Sequence, residues 1–375
     1  MSDAAALTSM TSNAVGRRPS PRGSRCLPLV VLATAVLAAF GGAASFAADA
    51  PPCGTSTLAT VETTDLSVAN SIYGGELSSG EVVIDAGHIT SSAALLQAVA
   101  HDNRAATFRA VQTLVYHPHW HIVRLRVLDT AGRVLADFGG PYVIAPVAGV
   151  LRVGTRVVGS YVMSVQDDHG FTLLETRFVG DPTGIYYHGV LVAETGAQFP
   201  VAAPSGPTMG WAGVTYAVTT RTYDAFPTGT LTAVILVPPL EPSLSTQPCA
   251  AVHAAEVARI AEHLAALFHP LNARYRAYAG TVHSYTGAKV IVRIGLRAIP
   301  GSEGLGPPVI PTSGTVTYQG TAYFVFSFAP TPPARIYLLI AQATLTGVTG
   351  PTGATANNGP TGAAGATGAA LAFRG

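Results

Sequence analysis

The chain is predicted to be an α+β protein in which a helix followed by antiparallel strands occurs twice in tandem. Three observations lead there. Residues 121–170 read as four short strands joined by turns, directly after an amphipathic helix. Weaker forms of the same strand pattern recur twice downstream, and a second amphipathic helix precedes the last of them. The proline-rich stretch Pro238–Pro248 then separates the two helix-and-strand units.

Composition narrows the function classes. With 375 residues, 48% hydrophobic and 11% charged, the chain has ample material for a core. A net charge of +1 gives no electrostatic footprint for nucleic acid. Lys289 is the only lysine, so almost all positive charge is arginine. Residues 1–48 read as a signal peptide or an N-terminal membrane anchor. Arg17, Arg18, Arg22 and Arg25 precede an uncharged apolar run from Leu27 to Phe46, with a cleavage site expected at Ser45-Phe46-Ala47. That run of about 20 residues is long enough to span a bilayer, and either reading places the remainder outside the cytoplasm, secreted or held by one span. Beyond it lie only Cys53 and Cys249, which in an oxidising compartment are expected to form one disulfide.

In chain order, residues 49–89 read as a Thr, Ser, Ala and Pro-rich tether with a short helix over Leu66, Val68 and Ile72, stopped by Gly74-Gly75. The first unit spans 90–240. Its helix is capped by Thr90-Ser91-Ser92, carries Leu95, Leu96, Val99, Phe108, Val111, Leu114 and Val115 at helical spacing, and ends before His117-Pro118. Arg124 and Arg126 alternate with Val123, Leu125 and Val127, so one strand face is basic and the other apolar. A turn at Asp129–Gly132 leads into a return strand, Gly139-Gly140-Pro141 breaks the pattern, and a second hairpin turns at Gly154. Asp167-Asp168 is placed to cap a helix over Phe171–Phe178.

A second strand set opens at Thr183–Val190 and closes with Val214–Tyr223 and Leu231–Pro238. A third, in a shorter unit over 250–345, opens at Thr286–Val292 and closes with Val316–Phe328 and Ala334–Ile340. Val214-Thr215-Tyr216 matches Val316-Thr317-Tyr318, and Ala233–Pro238 matches Ile336–Ala341. Between these sets a helix over Ala251–Tyr278 is expected to break or kink at Pro270. Residues 346–375 read as a disordered, low-complexity tail. There Gly347, Gly350, Gly353, Gly359, Gly362, Gly365 and Gly368 keep one collagen-like three-residue phase.

The helix Leu95–Val115, the strand His121–Val127, the turn Asp129–Gly132 and the segment Gly159–Asp168 together resemble the Cache (PDC) group of extracytoplasmic sensor domains, related in shape to PAS domains. The resemblance extends over most of residues 65–341. It implies PAS-like and Cache-like antiparallel sheets and a small-molecule ligand, of the amino-acid or carboxylate class, held between a sheet and its helices. Such domains usually precede a second membrane span and a cytoplasmic output module. Neither is visible here, so a separate membrane signalling partner is expected.

Three constellations bear on chemistry. Arg124 and Arg126 could take a carboxylate ligand bidentately, with Asp137, Tyr142 and Tyr161 completing a pocket. His117, His119 and His121 would project on one face of an extended segment and could ligate Zn or Cu; alternatively they pack with Trp120 at a helix-to-strand corner. Asp167-Asp168-His169 could supply acid-base chemistry, although helix capping accounts for it more simply. No Gly-x-Ser-x-Gly elbow, phosphate loop, CxxC pair or dinucleotide fingerprint occurs, so neither an enzyme nor a cofactor is expected. The expected function is therefore small-molecule binding, with a surface structural or adhesive role, or metal binding through the histidines, as alternatives.

Overall fold

The computed structural model describes residues 50–268, 274–295, 297–298, 307, 309–330 and 332–342. The export or anchor segment, Pro270 and the glycine-repeat tail lie outside these residues. Among the described residues no single helix is long and apolar enough to cross a membrane.

The α+β class is borne out, with a different start. Helix α1 (Thr57–Ser78) occupies most of the expected tether and runs straight through Gly74-Gly75 into α2 (Gly80–Ser91). Its Thr and Ser side chains return hydrogen bonds to the preceding turn, as from Thr60 to the Ser56 carbonyl (2.9 Å) and from Thr64 to that of Thr60 (2.8 Å). Val61, Val68 and Ile72 fall on one buried stripe, and packing of that stripe outweighs the weak helix propensity of the segment. The single long helix expected over Leu95–Val115 is instead two, α3 (Ala93–Ala100) and α4 (Arg104–Val115). Asn103 starts the second by accepting from the Ala106 amide at 3.0 Å.

Strands β1 (Arg124–Asp129), β2 (Val134–Gly139), β3 (Pro146–Val153) and β4 (Arg156–Ser164) form an antiparallel sheet in the order β2-β1-β4-β3. Leu125, Val127, Leu151, Tyr161 and Met163 pack from this sheet against Val82, Leu95, Val99 and Val111 of α2, α3 and α4. Helix α5 (Asp168–Val179) follows, started by Asp167, whose carboxylate accepts from the Gly170 amide at 2.6 Å. Capping, rather than acid-base chemistry, therefore accounts for that aspartate.

A second sheet holds β5 (Thr183–Tyr187), β6 (Val190–Thr195), β7 (Thr208–Trp211), β8 (Val214–Asp224) and β9 (Thr230–Val237) in the order β6-β5-β9-β8-β7. Helices α6 (Cys249–Phe268) and α7 (Arg274–Thr286) precede a third sheet. It holds β10 (Lys289–Ile294), β11 (Arg297–Ala298), β12 (Ser313–Tyr318), β13 (Thr321–Phe328) and β14 (Ala334–Ala341), in the order β11-β10-β14-β13-β12. The two five-stranded sheets thus share one strand order. That order aligns β9 with β14, which upholds the match of Ala233–Pro238 with Ile336–Ala341. It also shows the other match to be coincidental: Val214-Thr215-Tyr216 opens β8, whereas Val316-Thr317-Tyr318 closes β12.

Helices α1, α5, α6 and α7 pack on one another between these two sheets. The largest apolar core joins Ile185 and Ala233 of one sheet to Val290, Ile336 and Leu338 of the other through Ile72, Phe171, Val257, Leu264 and Tyr278. The cores therefore do not divide at Pro238–Pro248. The first sheet has its own, and the second and third share one. Cys53 and Cys249 form the expected disulfide, with a sequence separation of 196 residues, beside a bridge between Pro52 and Pro248.

Candidate functional site

Alternation along β1 sends Leu125 and Val127 into the helix-covered core and Arg124 and Arg126 to the opposite face. Antiparallel register sets Asp137 of β2 directly across from Arg126 and two residues along from the partner of Arg124. One carboxylate therefore receives both guanidiniums. Arg126 donates to Asp137 Oδ2 from Nε at 2.9 Å and from Nη2 at 2.6 Å. Arg124 donates to Oδ1 and Oδ2 at 3.3 and 3.2 Å. These side chains are 15%, 25% and 24% exposed for Arg124, Arg126 and Asp137, which keeps the attraction well above that of a solvent-exposed pair. Phe226, from the turn between β8 and β9, lies under both, with guanidinium carbons 4.3 Å (Arg124) and 5.9 Å (Arg126) from its ring centre. Two guanidiniums and one carboxylate leave the cluster with one net positive charge.

The glycine pair that interrupts the strand pattern shapes this site. Gly139 and Gly140 have φ of +91° and +83°. A Cβ on Gly139 would stand 2.2 Å from the Val123 carbonyl oxygen, and one on Gly140 would stand 2.9 Å from Arg124 Cδ. Only glycine allows the chain to close there. The tight passage brings the Tyr142 carbonyl to Arg124 Nη1 at 2.7 Å, so Tyr142 contributes its backbone to the cluster. Asp168 then fixes the next two residues by accepting from the Val143 and Ile144 amides at 2.8 and 2.9 Å. Burial pushes the Asp168 carboxyl upward, against the opposing pull of those two amides.

Beside this cluster lies a cavity of about 670 Å³. Val115, Tyr116, Trp120, His121, Ile122 and Val123 form one side, and Asp137, Phe138, Gly139, Gly140 and Tyr142 the other. Tyr116 is 72% exposed and meets Phe138 edge-on at 5.1 Å, so a broad aromatic surface borders the opening. The arrangement can hold a small molecule with an apolar face toward Tyr116 and Phe138 and a polar group toward the Asp137 edge.

Four of the five proposed pocket residues, Arg124, Arg126, Asp137 and Tyr142, are brought together, and of these Asp137 and Tyr142 line the cavity. Tyr161 is not among them. It pairs with Val127, shares that residue's buried face and lies over Gly149, where a Cβ would come 2.3 Å from its ring. Burial accordingly raises its phenol above the usual range.

The three histidines part company as well. His117 stacks on Trp120 at 3.8 Å, and His88 covers the other face of that indole at 4.1 Å. His121 instead turns to α2, with Nδ1 2.8 Å from Glu81 Oε2 and its amide donating to Asp85 at 3.0 Å. The His119 ring stands 5.9 Å from that of His117. Among the described residues no group of three or more His, Cys, Asp or Glu could hold a metal ion. The corner is held by aromatic packing and hydrogen bonds to α2.

Sequence reasoning overlooked Phe226, which lies about 100 residues from Arg124 in the chain and carries no local mark. It also overlooked a buried acidic cluster at Asp65, Asp181 and Glu256. A signal for that cluster existed, because Asp65 sits in phase with the apolar Val61, Val68 and Ile72. No family model matches the chain, and no curated protein matches it.

Proposed function

We propose that this chain is an extracytoplasmic small-molecule-binding module of sensor type, with its ligand in the cavity beside Asp137. The observation that carries the reading is the cavity itself. It joins an exposed aromatic border to a charged cluster whose geometry is set by β1, β2 and the Gly139-Gly140 passage. The Cys53–Cys249 disulfide accords with an oxidising compartment and with export through the N-terminal segment. The strand order common to the second and third sheets supports reading them as a duplicated PAS-like unit of the Cache type. Arg124 and Arg126 are engaged by Asp137, so a carboxylate ligand would share them with it. The cavity wall takes in Asp137 but neither arginine, so an amino acid that offers its ammonium to Asp137 matches that edge better than a simple carboxylate.

A thermal-shift screen with amino acids and small carboxylates tests this. Binding to the folded state raises stability by about 2.7 kcal/mol when free ligand is 100-fold over its Kd. The expected result is a concentration-dependent rise in Tm for one ligand class, reduced in Asp137→Asn and Tyr116→Ala relative to each variant's own baseline. A library with no effect on the wild type, or a shift that survives both substitutions unchanged, refutes the assignment.

A further inference from the structure

Away from that cavity, buried charge is concentrated where α1, the link between α5 and β5, and α6 meet. Asp65 of α1 is fully buried, Asp181 of the link is 1% exposed and Glu256 of α6 is 6% exposed. All three face one cation, Arg259. Its Nη2 stands 2.5 Å from Glu256 Oε1, 3.4 Å from Asp181 Oδ2 and 3.7 Å from Asp65 Oδ1. Gly180, at φ +93°, lets the link fold closely over this cation: a Cβ there would come 3.0 Å from Arg259 Nη1. Neither oxygen of Asp65 has a hydrogen-bond partner, and Arg259 at 3.7 Å is shared with two nearer carboxylates, so burial of Asp65 as an anion is poorly offset.

The two histidines nearby add no positive charge. His263, one turn along α6 from Arg259, and His253, bonded to Thr64 of α1 at 2.9 Å, are both pushed toward the neutral form by burial. Glu62, one turn before Asp65, adds a further carboxyl on α1. Fully ionised, three carboxylates around one guanidinium leave two uncompensated negative charges in the interior. Retained protons remove that excess, because a protonated Asp65 becomes a donor to its carboxylate neighbours.

We propose that Asp65, Asp181, Glu256 and Arg259 form a proton-operated clamp, which holds α1 against α6 while protonated and releases α1 when it loses its proton. Burial and the adjacent carboxyls raise Asp65 well above its ordinary range, and burial raises Asp181 to about 7. These are acids raised in the folded state. The stabilisation they give is therefore complete below the pKa of the unfolded chain and is lost as pH climbs through the folded-state values. The cluster reaches solvent at Arg259, whose side chain is 37% exposed and lines a cavity of about 360 Å³ between α6 and β12–β13.

The test is urea unfolding of the wild type and Asp65→Asn in parallel between about pH 5 and pH 8.5, with hydrogen exchange of the amides around Asp65 corrected for intrinsic rate. Asparagine fixes the side chain in a neutral form. The expected result is that the unfolding constant of the wild type, divided by that of the variant, rises by up to about tenfold per pH unit across the window where the proton is lost. Amides of α1 should lose protection over the same window in the wild type only. A ratio that stays constant with pH overturns the clamp. Should Asp65→Asn fail to fold, Asp181→Asn supplies the corresponding ratio for the second raised carboxyl. Should both fail, equal α1 protection in the wild type at the two ends of the range overturns it.

Discussion

Asp137→Ala is the most direct perturbation of the candidate site. It removes the one carboxylate between two guanidiniums and leaves Arg124 and Arg126 beside the same Phe226 ring with no counter-charge on β2. Breaking a fully buried pair by deleting one partner costs about 3–5 kcal/mol, whereas an exposed pair is worth about 0–1 kcal/mol. Side chains 15–25% exposed fall nearer the buried limit, and screening by the remaining water lowers the figure, so a loss of about 2–3 kcal/mol is expected. Asp137→Asn keeps an acceptor and the shape but not the charge, and should cost about half as much. Urea unfolding followed by far-ultraviolet circular dichroism measures both. Combining Asp137→Ala with Arg126→Met should recover about 1 kcal/mol, because one unneutralised cation leaves and Arg124 keeps its bond to the Tyr142 carbonyl. An Asp137→Ala protein within about 0.5 kcal/mol of the wild type, or a double variant whose effects simply add, refutes the shared-carboxylate account.

Gly139→Ala should destabilise by about 3 kcal/mol or more, since both the left-handed backbone and a Cβ 2.2 Å from the Val123 carbonyl oppose it. Gly132→Ala, equally left-handed at φ +78° but with nothing within 4 Å, should cost only about 1 kcal/mol, and melting temperatures of the pair separate contact from conformation. Replacing Cys53 and Cys249 by serine should lower stability by about 2–5 kcal/mol, read as a drop in urea midpoint that reducing agent reproduces in the wild type. Glu175, wholly buried on α5 and pushed up to about 8, is an acid raised in the folded state, so its contribution is lost as pH rises from the ordinary carboxylate range through about 8. Glu175→Gln should therefore flatten the decline of Tm between pH 5 and 9, and an unchanged decline would exclude that residue as its source.

Local patterns carried much of the architecture. The alternation of Arg124, Leu125, Arg126 and Val127 placed the basic face on β1, and the turns at Asp129–Gly132 and Gly154 appear where expected. Asp167 caps its helix as its position suggested. Errors arose where the answer lay in a partner far along the chain. Tyr161 lies on the strand beside β1, yet register pairs it with Val127 and turns it away from the arginines. Three histidines at alternate positions suggested a shared face, but Trp120 captures His117 while α2 captures His121. Residues 57–64 look like a tether and Gly74-Gly75 like a helix stop because Thr, Ser and Gly are weak helix formers, and burial of Val61, Val68 and Ile72 carries α1 through both.

By itself, the sequence determined the α+β class, the positions of most strands and turns, the basic face of β1 and the pairing of Cys53 with Cys249. Each depends on side-chain period, on backbone preferences within a few residues or on there being one possible pair. The tertiary structure decided the sharing of one core by the second and third sheets, the neutralisation of Arg124 and Arg126 by Asp137 above Phe226, and the convergence of Asp65, Asp181 and Glu256 on Arg259. These depend on register and packing between segments far apart in the chain, such as Asp65 with Arg259 and Ile72 with Leu338, for which a one-dimensional period carries no information.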